Sequence, residues 1–226
     1  ATVLLEKPHR HDRHREAGGA VGEGQRHDDE AGEEHAVGAD KALRLPSLII
    51  GLKGDWRSLD LHEPQTLKAS LNYTEASPGE VLKIRAGLLH SLLAGTLVFE
   101  VSSNSDITYR LYDWGREGRE MHEEKALSSL STAEMKDVLL RGEVSEGSGV
   151  EVTRYVTSIC TLEQIDFLRS YRILPTGVFR FGVVIWGTVE CEGVRAERGD
   201  SFFIPACASS FEMIADEPSR VLLVTP

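Results

Sequence analysis

Apolar and polar residues alternate with a period of two along much of the chain, and glycines interrupt the alternation at short intervals. Leu97, Phe99 and Val101 fall on one side of a strand with Thr96, Val98 and Glu100 opposite. Ile107, Tyr109 and Leu111 are set in the same way against Thr108, Arg110 and Tyr112. Gly79, Gly87 and Gly95 are evenly spaced, the cadence of short antiparallel strands joined by tight turns. Leu45 to Lys53 reads as a further strand with a glycine turn, and Ser58 to Leu71 as irregular or weakly helical. Helical spacing enters at Leu127, Leu130, Met135, Val138 and Leu139, with Ser131-Thr-Ala-Glu134 as a capping box. Arg141 to Val150 has the glycine, serine and glutamate content of a linker. Alternation then resumes from Val152 to Pro226, most clearly from Gly177 to Glu190 and from Gly199 to Pro205. The pattern predicts an all-β chain with one short helical segment.

Charge inside these strands changes the picture. Glu100 and Arg110 sit among Val, Ile, Tyr and Leu, and a charged residue on a half-buried strand needs a partner or a task. Two readings stay open on pattern alone: a structural ion pair on a solvated sheet face, or a concave polar site lined by His90, Glu100 and Arg110.

The segment from about Lys7 to Lys41 is different in kind. It is rich in His, Arg, Asp, Glu, Gly and Ala and has almost no large apolar residue, too little to offset the entropy of ordering it. His9-Arg-His11-Asp-Arg-His14 has the look of a metal tail, but a solvated, charge-dense segment accounts for it better.

Composition bounds the rest. A chain of 226 residues holds one large all-β domain or two small ones. Its formal net charge of -11 argues against a nucleic-acid or anionic-membrane partner, each of which calls for a basic patch. Cys160, Cys191 and Cys207 are odd in number and lack metal-type spacing, which predicts reduced thiols in a cytoplasmic protein. No apolar run is long enough to span a membrane, and Ala1-Thr-Val-Leu-Leu is too short for a signal peptide.

One string is too particular to come from composition. Pro78-Gly-Glu80 leads through Ile84-Arg-Ala-Gly87 to His90-Ser91, and a later stretch ends in Asn104-Ser-Asp-Ile-Thr-Tyr-Arg-Leu-Tyr-Asp113. The stretch from Pro78 to about Leu127 resembles the type I mannose-6-phosphate isomerases, zinc-dependent members of the cupin superfamily. In that family a Pro-Gly-Asp turn, an Ile-Pro-Ala-Gly loop and a His followed by Ala or Ser precede a strand ending in Asn-Ser-Asp-x-Thr-Tyr-Arg-x-Tyr-Asp. Arg119-Glu-Met-His-Glu-Glu-Lys-Ala-Leu127 resembles the helix start that follows.

The resemblance implies two cupin-type β-barrels of jelly-roll form joined by a short helical segment. Residues 1–41 would be a charged or eroded N-terminal segment, 42–128 a partial catalytic cupin, 129–151 helix and linker, and 152–226 a metal-free C-terminal cupin. The turn from Gly199 to Pro205 repeats the spacing of the turn at Gly79 to Arg85, and Ser210 stands in the second copy where His90 stands in the first.

It also implies a zinc site and a sugar-phosphate substrate, with mannose 6-phosphate and fructose 6-phosphate interconverted through an enediol. His90 matches one family ligand. Gln25 and His27 resemble the Gln-x-His pair, although Arg26 replaces an apolar residue and the following Pro is missing. The glutamate ligand is not kept, because the Gly-Lys-x-Glu segment overlays Gly38-Ala39-Asp40-Lys41. Lys41 then stands where a carboxylate should bind the cation, and Ala39 where a lysine implicated in catalysis should stand. Arg85 replaces the loop proline, and nothing matches the family's Lys-Pro-Trp-Gly motif, so the chain reads as a shortened copy. Arg110 matches the family's catalytic arginine, placed to steady the negative charge of an enediolate. A catalytically impaired cupin that keeps only the sugar-phosphate scaffold is the alternative.

Overall fold

The computed structural model describes residues 2–6, 47–58, 60–105, 107–132 and 135–226. The chain divides into two compact units, Ala1–Leu139 and Leu140–Pro226. Strands dominate both, and the few helices are short.

Among the described residues, unit 1 contains two three-stranded antiparallel sheets. In one, β1 (Thr2–Glu6) lies between β4 (Val81–Lys83) and β6 (Leu97–Val101). In the other, β2 (Leu48–Leu52) lies between β3 (Leu71–Thr74) and β5 (His90–Leu92). The run Leu48-Ile-Ile50 has no polar alternate because both of its faces are covered. Leu48 and Ile50 pack with Leu82, Ile84, Leu88 and Val138, while Ile49 turns to Leu61, Leu67, Leu71, Leu111 and Ala126. Each of these three side chains is 1% exposed. Burial of that extent stabilises by roughly 1.5–3 kcal/mol per aliphatic side chain.

The second of those clusters is closed by helices. Helix α1 (Pro64–Ser70) starts on Pro64, whose fixed φ suits the first turn, and the Glu63 carboxylate accepts the Thr66 N–H as its cap. Helix α2 (Glu123–Ser129) has Glu123 and Glu124 in its first turn, where the exposed N–H groups favour negative charge. The helical spacing expected from Leu127 to Leu139 is broken, because Leu130 is extended and Ser131 bridges to Leu88; a short α3 (Met135–Val138) follows. Two residues of the expected capping box, 133 and 134, lie outside the described residues.

Unit 2 is one large antiparallel sheet. Its strands run β12 (Val194–Glu197), β11 (Thr188–Cys191), β14 (Phe211–Thr225), β9 (Thr161–Ile173), β8 (Val150–Val156) and β7 (Glu143–Gly147). Strand β10 (Arg180–Trp186) pairs with β14 and with β13 (Ser201–Ile204). The first part of β14 therefore has β9 on one side and β11 on the other, and its last part has β9 and β10. The change of neighbour falls at a bulge between Ala215 and Ser219 that contains Pro218, a residue with no N–H to offer a ladder. The core gathers around Ile165, Val184, Val189, Met213, Val221 and Leu223.

Two expectations are corrected here. Residues 141–150 are not a linker but the hairpin of β7 and β8, turned at Ser148 (φ 53°) and Gly149 (φ 79°). Positive φ at both central residues is the type I′ turn that matches strand twist, so glycine and serine there mark a hairpin. Residues 107–112 are not a strand. Ile107 is 66% exposed and Leu111 only 9%, so the alternation does not define two faces.

Candidate functional site

His90 opens β5 and sits opposite Ile50 across the ladder. The loop before it is set by Gly87, whose φ of 82° excludes most other residues and whose carbonyl accepts the Ser131 N–H at 2.9 Å. A Cβ at Gly87 would lie 2.3 Å from the Ser129 carbonyl oxygen at the end of α2. The His90 ring is exposed, and its Nδ1 lies 2.8 Å from the Leu88 carbonyl. A carbonyl accepts, so Nδ1 is the donor in this bond and Nε2 is the nitrogen left for a further ligand. A histidine held by a carbonyl at one ring nitrogen can bind a metal ion through the other.

Arg110 is half-buried in the irregular segment between β6 and α2. Its backbone is held on both sides by one residue. The His122 N–H donates to the Arg110 carbonyl at 2.9 Å, and the Arg110 N–H points to His122 Nδ1 at 3.5 Å. Just beyond, the buried Asp113 carboxylate is paired with Arg116 and lies 3.7 Å from Arg119 Nε. These contacts do for the segment what a neighbouring strand would have done, which explains why a strand-like pattern folds as an ordered loop. The Tyr109 ring lies tilted at 5.8 Å from the His122 ring, with Lys125 Nζ 5.9 Å from the Tyr109 ring centre.

Glu100 is exposed on β6 and forms no ion pair with Arg110, so the structural-pair reading of these two charges is set aside. No hydrogen bond, ion pair or ring contact among the described residues joins His90 to Arg110. Gln25, His27, Ala39, Asp40 and Lys41 lie outside the described residues, as does the His9 to His14 cluster. Among the described residues no group of three or more His, Cys, Asp or Glu is placed to hold a metal ion. His90 fits the role of a zinc ligand by its exposure and by the bond at Nδ1 that leaves Nε2 for a ligand, and further donors would have to come from elsewhere in the chain.

His122 was missed by sequence reasoning as an anchor for Arg110. Its signal was its place, immediately before the acidic first turn of α2 and within the string that carries the family likeness. A pocket of about 390 Å³ in the same unit is lined by Gly51, Trp56, Leu89, Ser131 and Asp137, among others.

No family model matches the chain. It is 34% identical over 175 residues to Probable mannose-6-phosphate isomerase GmuF of Bacillus subtilis strain 168, a match covering 70% of this chain and 50% of that protein. The chain belongs to the mannose-6-phosphate isomerase family. A mannose-6-phosphate isomerase of Streptococcus mutans is 24% identical over 180 residues, 72% of this chain and 51% of that protein. The chain spans about half the length of these curated relatives. Among solved structures, the mannose 6-phosphate isomerase from Bacillus subtilis superposes with a TM-score of 0.65 at 23% identity, covering 81% of this chain and 61% of that one. The phosphomannose isomerase from Salmonella typhimurium gives 0.54 at 16% identity, over 69% and 40%. At those identities the structures speak for the fold, which is the mostly-β cupin fold expected of the family. No helix among the described residues is long and apolar enough to cross a membrane.

Proposed function

We propose that this chain carries the catalytic centre of a zinc-dependent aldose–ketose isomerase that interconverts mannose 6-phosphate and fructose 6-phosphate. The observation that carries the reading is that the chain, alike in sequence to enzymes of that name, keeps Arg110 and His90 in ordered and solvent-reachable settings. The two-barrel architecture and a metal-free second barrel belong to the same proposal, as does a cytoplasmic, soluble setting with no nucleic-acid or membrane partner.

The reaction moves a proton between C1 and C2 of the open-chain sugar. It needs a base at the transferring proton and positive charge at the oxygens where negative charge develops. The Arg110 guanidinium, always protonated and forked, meets two such oxygens at once and holds them in one plane. His122 fixes the Arg110 backbone, so less ordering remains to be done when substrate arrives. His90, with Gln25 and His27 as its proposed companions, would hold the zinc ion. When bound, zinc supplies Lewis-acid polarisation of the sugar oxygens. The general base is unassigned, since the residues that overlay its region are Ala39 and Lys41.

The test is a coupled isomerase assay on the purified chain, with and without added zinc. Turnover that rises with zinc and falls on chelation is the expected result. No turnover in either condition would favour the impaired scaffold instead. In parallel, His90→Ala is expected to lower bound zinc measured by plasma emission, and an unchanged stoichiometry would remove His90 from the site.

A further inference from the structure

Unit 2 holds a pocket of about 500 Å³, within the range of small-molecule sites. It opens where β11, β12 and β13 meet the start of β14, at one end of the core. Cys191, Ala196, Phe202, Ile204, Ala208 and Phe211 form its walls. Ile204 belongs to the core cluster and the other five pack against it, so the floor is continuous with a rigid interior.

Two features keep this space open. Phe202 sits opposite Gly182 across the β10–β13 ladder, and a Cβ at Gly182 would lie 2.2 Å from the ring. The ring is thus laid flat on the strand and cannot swing into the void without losing that contact. Ala196 and Ala208 stand where larger aliphatic side chains would have closed the pocket.

The polar groups are few and lie toward the rim: the Ser209 and Ser210 hydroxyls, which make no hydrogen bond among the described residues, and the Glu192 carboxylate. The one charged residue of the lining is Glu192, and burial pushes the Cys191 thiol up to about 11. A phosphorylated sugar finds no cation in the lining and meets a carboxylate there.

We propose that this pocket of unit 2 is a binding site for a small uncharged molecule with an apolar, ring-sized body and one hydrogen-bonding end. The body lies against Phe202, Ile204 and Phe211, and the polar end meets Ser210 and Glu192. The site is built wholly from unit 2 and does not depend on isomerase activity.

The probe is N-phenyl-1-naphthylamine, a neutral dye that brightens in apolar surroundings, titrated into the full chain. One saturable site is expected, with a dissociation constant on the order of 10 μM. Ala208→Phe and Ala196→Leu, which fill the pocket from two sides, should each weaken binding at least tenfold without lowering the melting temperature. A naphthalene sulfonate of the same size should bind more weakly, because the lining offers it the Glu192 carboxylate and no cation.

A thiol readout guards against a variant that misfolds. In a Cys207→Ser background, saturating dye should slow modification of Cys191 by neutral dithiodipyridine at least fivefold. Binding that does not saturate, binding unchanged in both filled variants, an equally tight sulfonate, or an unprotected Cys191 would each overturn the proposal.

Discussion

Gly87 has two independent reasons to be glycine, a left-handed backbone and a carbonyl oxygen where a methyl group would go. Gly87→Ala should therefore destabilise unit 1 by about 3 kcal/mol, read as a lower urea midpoint, and should reduce zinc retention by disturbing the loop into His90. Arg110→Lys keeps the charge but loses the fork. It should cut turnover about 100-fold while zinc content stays the same, and an unchanged rate would take Arg110 out of the chemistry. Both residues were legible in the sequence only through their company. Arg110 stood inside a ten-residue string that resembles one family, and Gly87 belonged to a glycine cadence. His122 was not singled out, because a histidine that anchors through its backbone and one ring nitrogen leaves no pattern of spacing.

At the scale of elements, the strands of unit 2 and β2 announced themselves by alternation or by a short apolar run. Failures came where local chemistry replaced the ladder. From 107 to 112 the alternation was real, yet hydrogen bonds to His122 took the place of strand pairing. From 141 to 150 a glycine-rich composition was read as linker, although two residues of left-handed backbone make the same composition a hairpin. Helix α1 yields a prediction from its cap. Bonds from the Thr66 and Gln65 N–H groups hold the Glu63 carboxyl below its ordinary pKa. A folded pKa below the unfolded one stabilises the fold fully above the unfolded value, and the benefit is lost as pH falls through the lower, folded value. Melting curves of Glu63→Gln and the parent should accordingly separate at pH 7 and converge toward pH 3. A gap that persists in acid would mean that the carboxylate charge is not what caps α1.

For the molecule as a whole, a mostly-β fold followed from alternation, whereas length alone left one domain or two open, and the division into two compact units was suggested only by the family resemblance. Unit 2 also contains a pair whose importance no pattern suggested. Arg220 lies opposite Asp166 in the β14–β9 ladder and meets it through two bonds of 2.7 and 3.0 Å, both side chains 21% exposed. The guanidinium also lies 5.7 Å from the Trp186 ring. Arg220→Met should destabilise unit 2 by about 2 kcal/mol in urea unfolding, because Asp166 is left without its counter-charge. A change below about 0.5 kcal/mol would mean that solvent already satisfies the pair.

Strand β14 comes last in unit 2 and yet is the neighbour of β9, β10 and β11 alike. While the chain is being synthesised those three strands must wait, each with an unfilled edge, until Phe211 to Thr225 clears the ribosome. Unit 2 should consequently fold in one late step once β14 has emerged, and stalled nascent chains ending before Phe211 should remain sensitive to protease where the finished unit is resistant.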